Sequence, residues 1–234
     1  MSYVFEQLPL AVSPRDDATF DNFYAQGNEQ LVTALRSVGL PDGERSLFLY
    51  GTVGCGRSHL LQATCHSVDA RNGHSVYLPL ADLVDFNPAD LFAGLEQVDL
   101  VCLDDIHKVV ESAVWAEQLF HLYNRLKAAD TALVVSADGP PRRLTVVLAD
   151  LVSRLSWGSV YRVETGDESY WMALLQSRAR GRGLIMGDDV AQFIVHRHQR
   201  DGHGLMQVLD TLDRVSLSAQ RRLSIPFVKQ VMGW

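Results

Sequence analysis

This sequence has few of the features that staple a chain, span a membrane or grip a polyanion. Among its 234 residues there are only three cysteines, Cys55, Cys65 and Cys102. An odd count with no C-x-x-C pair speaks against a disulfide framework or a metal knuckle and for small thiols kept reduced. No apolar run approaches the roughly 20 residues that cross a bilayer. The opening MSYVFEQLPLAV has no basic stretch and carries Glu6, so neither a secretory leader nor a membrane anchor is expected, and the chain reads as cytoplasmic. Positive charge is also short: 21 Lys and Arg stand against 28 Asp and Glu, a net charge of -7. Broad neutralisation of nucleic-acid phosphates is thereby excluded, though a local basic patch is not. There is no internal repeat and no low-complexity segment. The 47% hydrophobic and 21% charged residues suffice for a full core, in one large domain or a main domain with an appendage.

The hydrophobic pattern divides the chain in two. "NEQLVTALRSV" has helical spacing at Leu31, Leu35 and Val38, and "SLFLY", ending at Gly51, is a short apolar run of the kind found in buried parallel strands. From there helices alternate with strands: helix from Arg57 closing at Gly73, strand "HSVYLPL", helix over 88–97, strand "DLVCLD", helix "AVWAEQLFHLYNRLKAA", strand "TALVVSA", a short helix "LADLVSRLS", and a last strand "SVYRVE". Such alternation predicts a parallel sheet with crossover helices, an α/β core. After Gly166 only helical patterns remain, over about 167–181, 188–199, 203–219 and a short one near the end. The expected domains are a mobile arm over 1–14, an α/β domain over 15–165 and an all-helical domain over 166–234. Trp115, Phe120, Leu122 and Tyr123 fall at helical intervals and read as core.

The chemistry concentrates in "YGTVGCGRSHLLQA", Tyr50 to Ala63. Between a strand and a helix, Gly51, Val53, Gly54, Cys55 and Gly56 frame a phosphate-binding loop of the G-x-x-x-x-G-K-[ST] type, except that the lysine is Arg57. Backbone N–H groups of such a loop converge on an anion with a helix N-terminus behind them. Ser58 supplies a hydroxyl for Mg²⁺, and His59 contributes through its backbone N–H. A guanidinium is a good bidentate partner for a diphosphate but a bulky one for orienting a γ-phosphate. The strand "DLVCLD" ends in Asp104 and Asp105, where P-loop proteins hold Mg²⁺ and orient the attacking water. The expected cofactors are therefore ADP or ATP, with ADP favoured, and Mg²⁺ on Ser58 and Asp104.

Taken together, "GCGRSHLLQA", "LVCLDDI", "LFHLYNRL", "ADGPPRRL", "LADLVSRLSWG" and "LDTLDRVSLSAQRRLSIPFVK" resemble the AAA+ ATPases, and within them the family of the bacterial initiator DnaA and its regulatory relatives of the Hda type. The resemblance covers nearly the whole chain and implies an AAA+ P-loop NTPase core followed by a helical lid. It implies that Ser136 or Asp138 lies near the terminal phosphate, and that Arg154 in "SRLSWG" is an arginine finger reaching a neighbouring subunit's nucleotide. A finger supplied in trans makes the chain an activator of another protein's ATP hydrolysis, with weak or absent hydrolysis of its own. At the lid position where many relatives carry a phosphate-sensing arginine, this sequence has His203. Where DnaA continues into a DNA-binding domain, the sequence stops at Trp234.

The arm segment "EQLPLAV" resembles peptides that dock on the β sliding clamp of DNA polymerase III, with Gln7, Leu8, Leu10 and Val12 as contacts. The resemblance thus implies a negative regulator of chromosomal replication initiation. Its partners would be DnaA and the clamp, with DNA reached through the clamp, and finger-to-site contacts would also permit homo-oligomers. Two rivals stand beside this reading: a self-sufficient AAA+ ATPase of the helicase-loader type, and a clamp adaptor whose nucleotide is structural. The basic run Arg178, Arg180 and Arg182 reads as a solvated helix face rather than a DNA contact.

Overall fold

The computed structural model describes residues 18–197, 202–219 and 223–234. Its chain forms two compact units. One comprises 18–23, Asn28–Thr52 and Arg57–Val163; the other comprises Tyr24–Gly27, Val53–Gly56 and Glu164–Trp234.

In the first unit, α1 (Glu29–Ser37) precedes β1 (Ser46–Tyr50), and α2 (Arg57–Asp69) leads to β2 (Ser75–Pro79). Then follow α3 (Pro88–Leu91), β3 (Leu100–Asp104), α4 (Ala113–Ala128), β4 (Ala132–Ala137), α5 (Ala149–Leu155) and β5 (Ser159–Arg162). The five strands form one sheet in the order β2-β3-β4-β1-β5, all pairs parallel. Central strands of such a sheet are covered on both faces, which is why β3 and β4 are buried along their whole length and are apolar apart from Asp104 and Ser136 near their C-terminal ends. One face carries a core of Phe48, Leu78, Phe92, Leu103, Trp115 and Leu122 among others. Helix α2 packs against β2, β3 and β4, with Leu60, Leu61 and Cys65 fully buried.

The helix expected over 88–97 is instead two pieces. α3 ends at Leu91, and a 3-10 turn occupies Leu95–Gln97. Gly94 between them has φ of +76°, a left-handed conformation that cannot continue a right-handed helix and that glycine adopts without a Cβ clash. Phe120 also departs from expectation: Trp115, Leu122 and Tyr123 are buried, whereas Phe120 is only half-buried.

The second unit is helical: α6 (Glu168–Gly181), α7 (Asp188–Arg197), α8 (Gly202–Ala219) and α9 (Ile225–Met232). Helix α6 starts at Asp167, whose carboxylate accepts the Ser169 and Tyr170 N–H groups at 3.0 and 3.4 Å. Trp171, Leu175, Ile194, Leu209 and Val228 form its core.

Candidate functional site

The strand order explains why distant segments meet. With β3, β4 and β1 adjacent and parallel, the C-terminal ends of all three lie side by side, where open α/β sheets bind ligands. Those ends carry Asp104–Asp105, Ser136 and the Gly51 loop.

Within the loop, Gly54 and Gly56 have φ of +77° and +102°, conformations that let successive N–H groups turn inward and that a side chain would strain. Val53 is exposed and Cys55 is buried, while Ser58 lies exposed in the first turn of α2. The cradle and the exposed hydroxyl fit a nucleotide phosphate and its Mg²⁺. Among the described residues no cluster of three or more His, Cys, Asp or Glu could hold a metal by itself. An ion here would therefore keep water and phosphate oxygens in its shell, as Mg²⁺ usually does.

Arg57 is turned inward. Only 8% exposed, it donates from Nη1 to the carbonyl oxygens of Gly51 and Thr52, and from Nη2 to Asp105 Oδ1 at 2.8 Å. A cation in the first turn of a helix opposes the helix dipole, and burial adds a desolvation cost. The ion pair with Asp105 and the loop carbonyls offset both, leaving Nε as a buried donor without a partner.

The two acids are held differently. Asp104 is buried; Oδ1 accepts from the Ser136 hydroxyl and Oδ2 from the Tyr77 hydroxyl at 2.7 Å. Burial, reinforced by Asp104, raises the Tyr77 phenol far above its ordinary pKa, so it serves as a neutral donor. Tyr77 was not foreseen; its only signal was one phenol between Val76 and Leu78 in the strand "SVYLP". Asp105 has φ of +55° and donates its N–H to Ser136 Oγ at 2.9 Å. The left-handed turn swings its carboxylate towards Arg57. His107, also unforeseen, lies 3.8 Å from Asp105 and 3.7 Å from Asp138. Burial lowers its pKa against the pull of Asp138 and Asp105.

His59 uses its ring rather than its backbone alone: Nε2 lies 2.8 Å from the Thr19 carbonyl oxygen, with the tilted Phe23 ring 5.8 Å away. In the helical unit, the Gly202 N–H donates to the Gly54 carbonyl at 3.0 Å. His203 follows it, exposed, its Nε2 paired with the Gln207 amide at 2.8 Å. Within the basic run, Arg182 is bound to Asp210 at 2.6 Å and Arg178 is also engaged. The three thiols are free and buried, and burial, with Cys65 close by, raises the Cys102 pKa.

Arg154, in the last turn of α5, contrasts with Arg57. Its guanidinium carbon lies 5.1 Å from the Trp157 ring centre and 5.7 Å from that of Phe120, and the guanidinium makes no hydrogen bond or ion pair among the described residues. Gln7, Leu8, Leu10 and Val12 lie outside the described residues. No helix among the described residues is long and apolar enough to cross a membrane.

Comparison with known proteins matches residues 15–162 to the bacterial DnaA ATPase domain and 167–232 to the Hda lid domain. An uncharacterized protein of Haemophilus influenzae is 40% identical over 229 residues, 97% of this chain and 99% of that one. Domain III of the replication initiation protein DnaA from Thermotoga maritima shares the fold with a TM-score of 0.78 at 23% identity, over 94% of this chain and 97% of that one. AMPPCP-bound DnaA from Aquifex aeolicus gives 0.72 at 22% identity, over 85% of this chain and 66% of that one.

Proposed function

This chain belongs to the family of the bacterial DnaA ATPase domain and carries a lid of the Hda type, and on that premise we propose that it switches off replication initiation by making DnaA hydrolyse its ATP. Family membership carries the coarser role, regulation of replication around DnaA. The finer reading is that the chain holds an adenine nucleotide, ADP in preference, in the Gly51–Ser58 loop. It docks on the DNA-loaded sliding clamp through Gln7, Leu8, Leu10 and Val12, and presents Arg154 to the ATP site of DnaA.

The observation that supports this most is the unlike fate of two arginines. Arg57 is spent on Asp105 and the loop carbonyls, so the acid that would orient a water in the chain's own site is already paired. Arg154 keeps its guanidinium donors unspent beside two rings. A chain built this way retains nucleotide and acts on another protein's phosphates. The loop N–H groups would hold the nucleotide's phosphates, while Ser58 and Asp104 would hold Mg²⁺.

The test is hydrolysis of DnaA-bound ATP in the presence of clamp-loaded DNA. Arg154→Ala is expected to remove stimulation by about 10³–10⁵, the range of arginine fingers supplied in trans. Undiminished stimulation would sink the mechanism. Clamp binding is expected to vanish with Gln7→Ala combined with Leu8→Ala. A self-sufficient ATPase draws support from the intact Asp104–Asp105 pair; brisk ATP turnover by the purified chain alone would favour it.

A further inference from the structure

We propose that Trp157 is a positioning residue for Arg154, a ring platform that aims the guanidinium without consuming its hydrogen-bond donors. Trp157 is among the large apolar side chains left open to solvent, 56% exposed, and core packing does not account for it. Its backbone N–H donates to the Arg154 carbonyl at 3.1 Å, a tight turn that folds the indole back against the last turn of α5. The ring then meets the Arg154 guanidinium at 5.1 Å. On its other connections the indole is tied to α4: Lys127 Nζ lies 2.9 Å from the ring centre and the Tyr123 ring 6.4 Å away. The order of support therefore runs from helix α4 through Trp157 to Arg154.

The choice of a ring over a carboxylate has a chemical reason. A carboxylate holds arginine by the same N–H groups that must later grip a phosphate, so those bonds would have to break at the moment of reaction. A ring face attracts the cation through its quadrupole and leaves the five N–H donors free. The Arg154 guanidinium shows that arrangement, beside Trp157 and the half-buried Phe120 with no ion pair or side-chain hydrogen bond among the described residues. A flexible arginine would otherwise spend most of its time away from the productive orientation.

This inference rests on the arginine-finger reading, and the experiment separates the two. Stimulated hydrolysis of DnaA-bound ATP is measured against concentration of the full chain, for wild type, Arg154→Ala, Trp157→Ala and Trp157→Phe. Trp157→Ala is expected to lower the maximal rate on the order of tenfold with the half-saturating concentration unchanged, because only the transition-state contact is misaimed. Trp157→Phe, which keeps a ring face, should recover most of the rate. A variant with a smaller folded fraction would instead move the half-saturating concentration, and an indole that touches DnaA directly would do the same; either outcome overturns the proposal. So does a Phe variant as poor as the Ala variant, or an unchanged maximal rate. If Arg154→Ala leaves stimulation intact, the finger reading itself has failed; if it abolishes stimulation while Trp157→Ala is silent, only the platform has failed.

Discussion

Arg57 shows how one substitution in a motif changes what a site does. In the lysine form of the loop, a compact ammonium reaches the phosphates as a point charge. Here the longer, planar group has the reach and the donors to bind Gly51, Thr52 and Asp105 together. Restoring lysine should free Asp105: Arg57→Lys is expected to raise single-turnover hydrolysis of the chain's own bound ATP by about tenfold or more, within the span of general-base contributions. No increase, with bound nucleotide verified, would show that the pair does not restrain hydrolysis. His107 supplies a second residue-level expectation. Burial holds its pKa below the ordinary value, so between the two values the unfolded chain binds more protons than the native one. The stability this represents is full above the ordinary histidine pKa of about 6.5 and is lost as pH falls below it. Calorimetry across that window should show a smaller fall in midpoint with acidification for His107→Gln than for wild type.

Among the elements, the decisive features are where strands and helices end. β3 stops at Asp104 and the next residue turns left-handed, and that single turn separates an acid buried on Ser136 and Tyr77 from one aimed at Arg57. The Asp-Asp pair was legible as a strand end; its division of labour was not, because a positive φ at aspartate has no signature in the sequence. α3 was over-extended for the same reason, since an isolated glycine inside a helical pattern is often tolerated. Helix α8 begins at Gly202, where a Cβ would fall 2.5 Å from the Gly54 carbonyl oxygen. Gly202→Ala should therefore cost about 1–3 kcal/mol, as overpacking does, seen as a lowered thermal midpoint together with faster loss of bound nucleotide. An unchanged midpoint would mean that the start of α8 shifts freely.

At the scale of the whole molecule, the net charge of -7 bears on how DNA is met. With Arg182 and Arg178 already engaged, the basic run at the C-terminal end of α6 is not a free stripe for phosphates. Binding to bare duplex at about 0.15 M salt should be weaker than about 10⁻⁴ M, the weak end of non-specific association. Fluorescence anisotropy with a labelled duplex checks this, and retention on clamp-loaded DNA that disappears with Gln7→Ala would assign the contact to the clamp. Tight binding to bare duplex would instead assign it to this chain.

The α/β core and the helical unit after it were legible in the sequence because they rest on hydrophobic periodicity that local physics dictates; the phosphate loop and the family resemblance were legible because contiguous motifs carry them. Only the tertiary structure decided what the charged groups do. The parallel order β3-β4-β1 brings Asp105 to Arg57 across 48 positions of chain. Packing of α4 beside α5 brings Phe120 and Trp157 against Arg154, and Lys127 onto the Trp157 ring. A side chain's partner is set by which backbone ends the sheet and helices place side by side, and spacing along the chain does not carry that information.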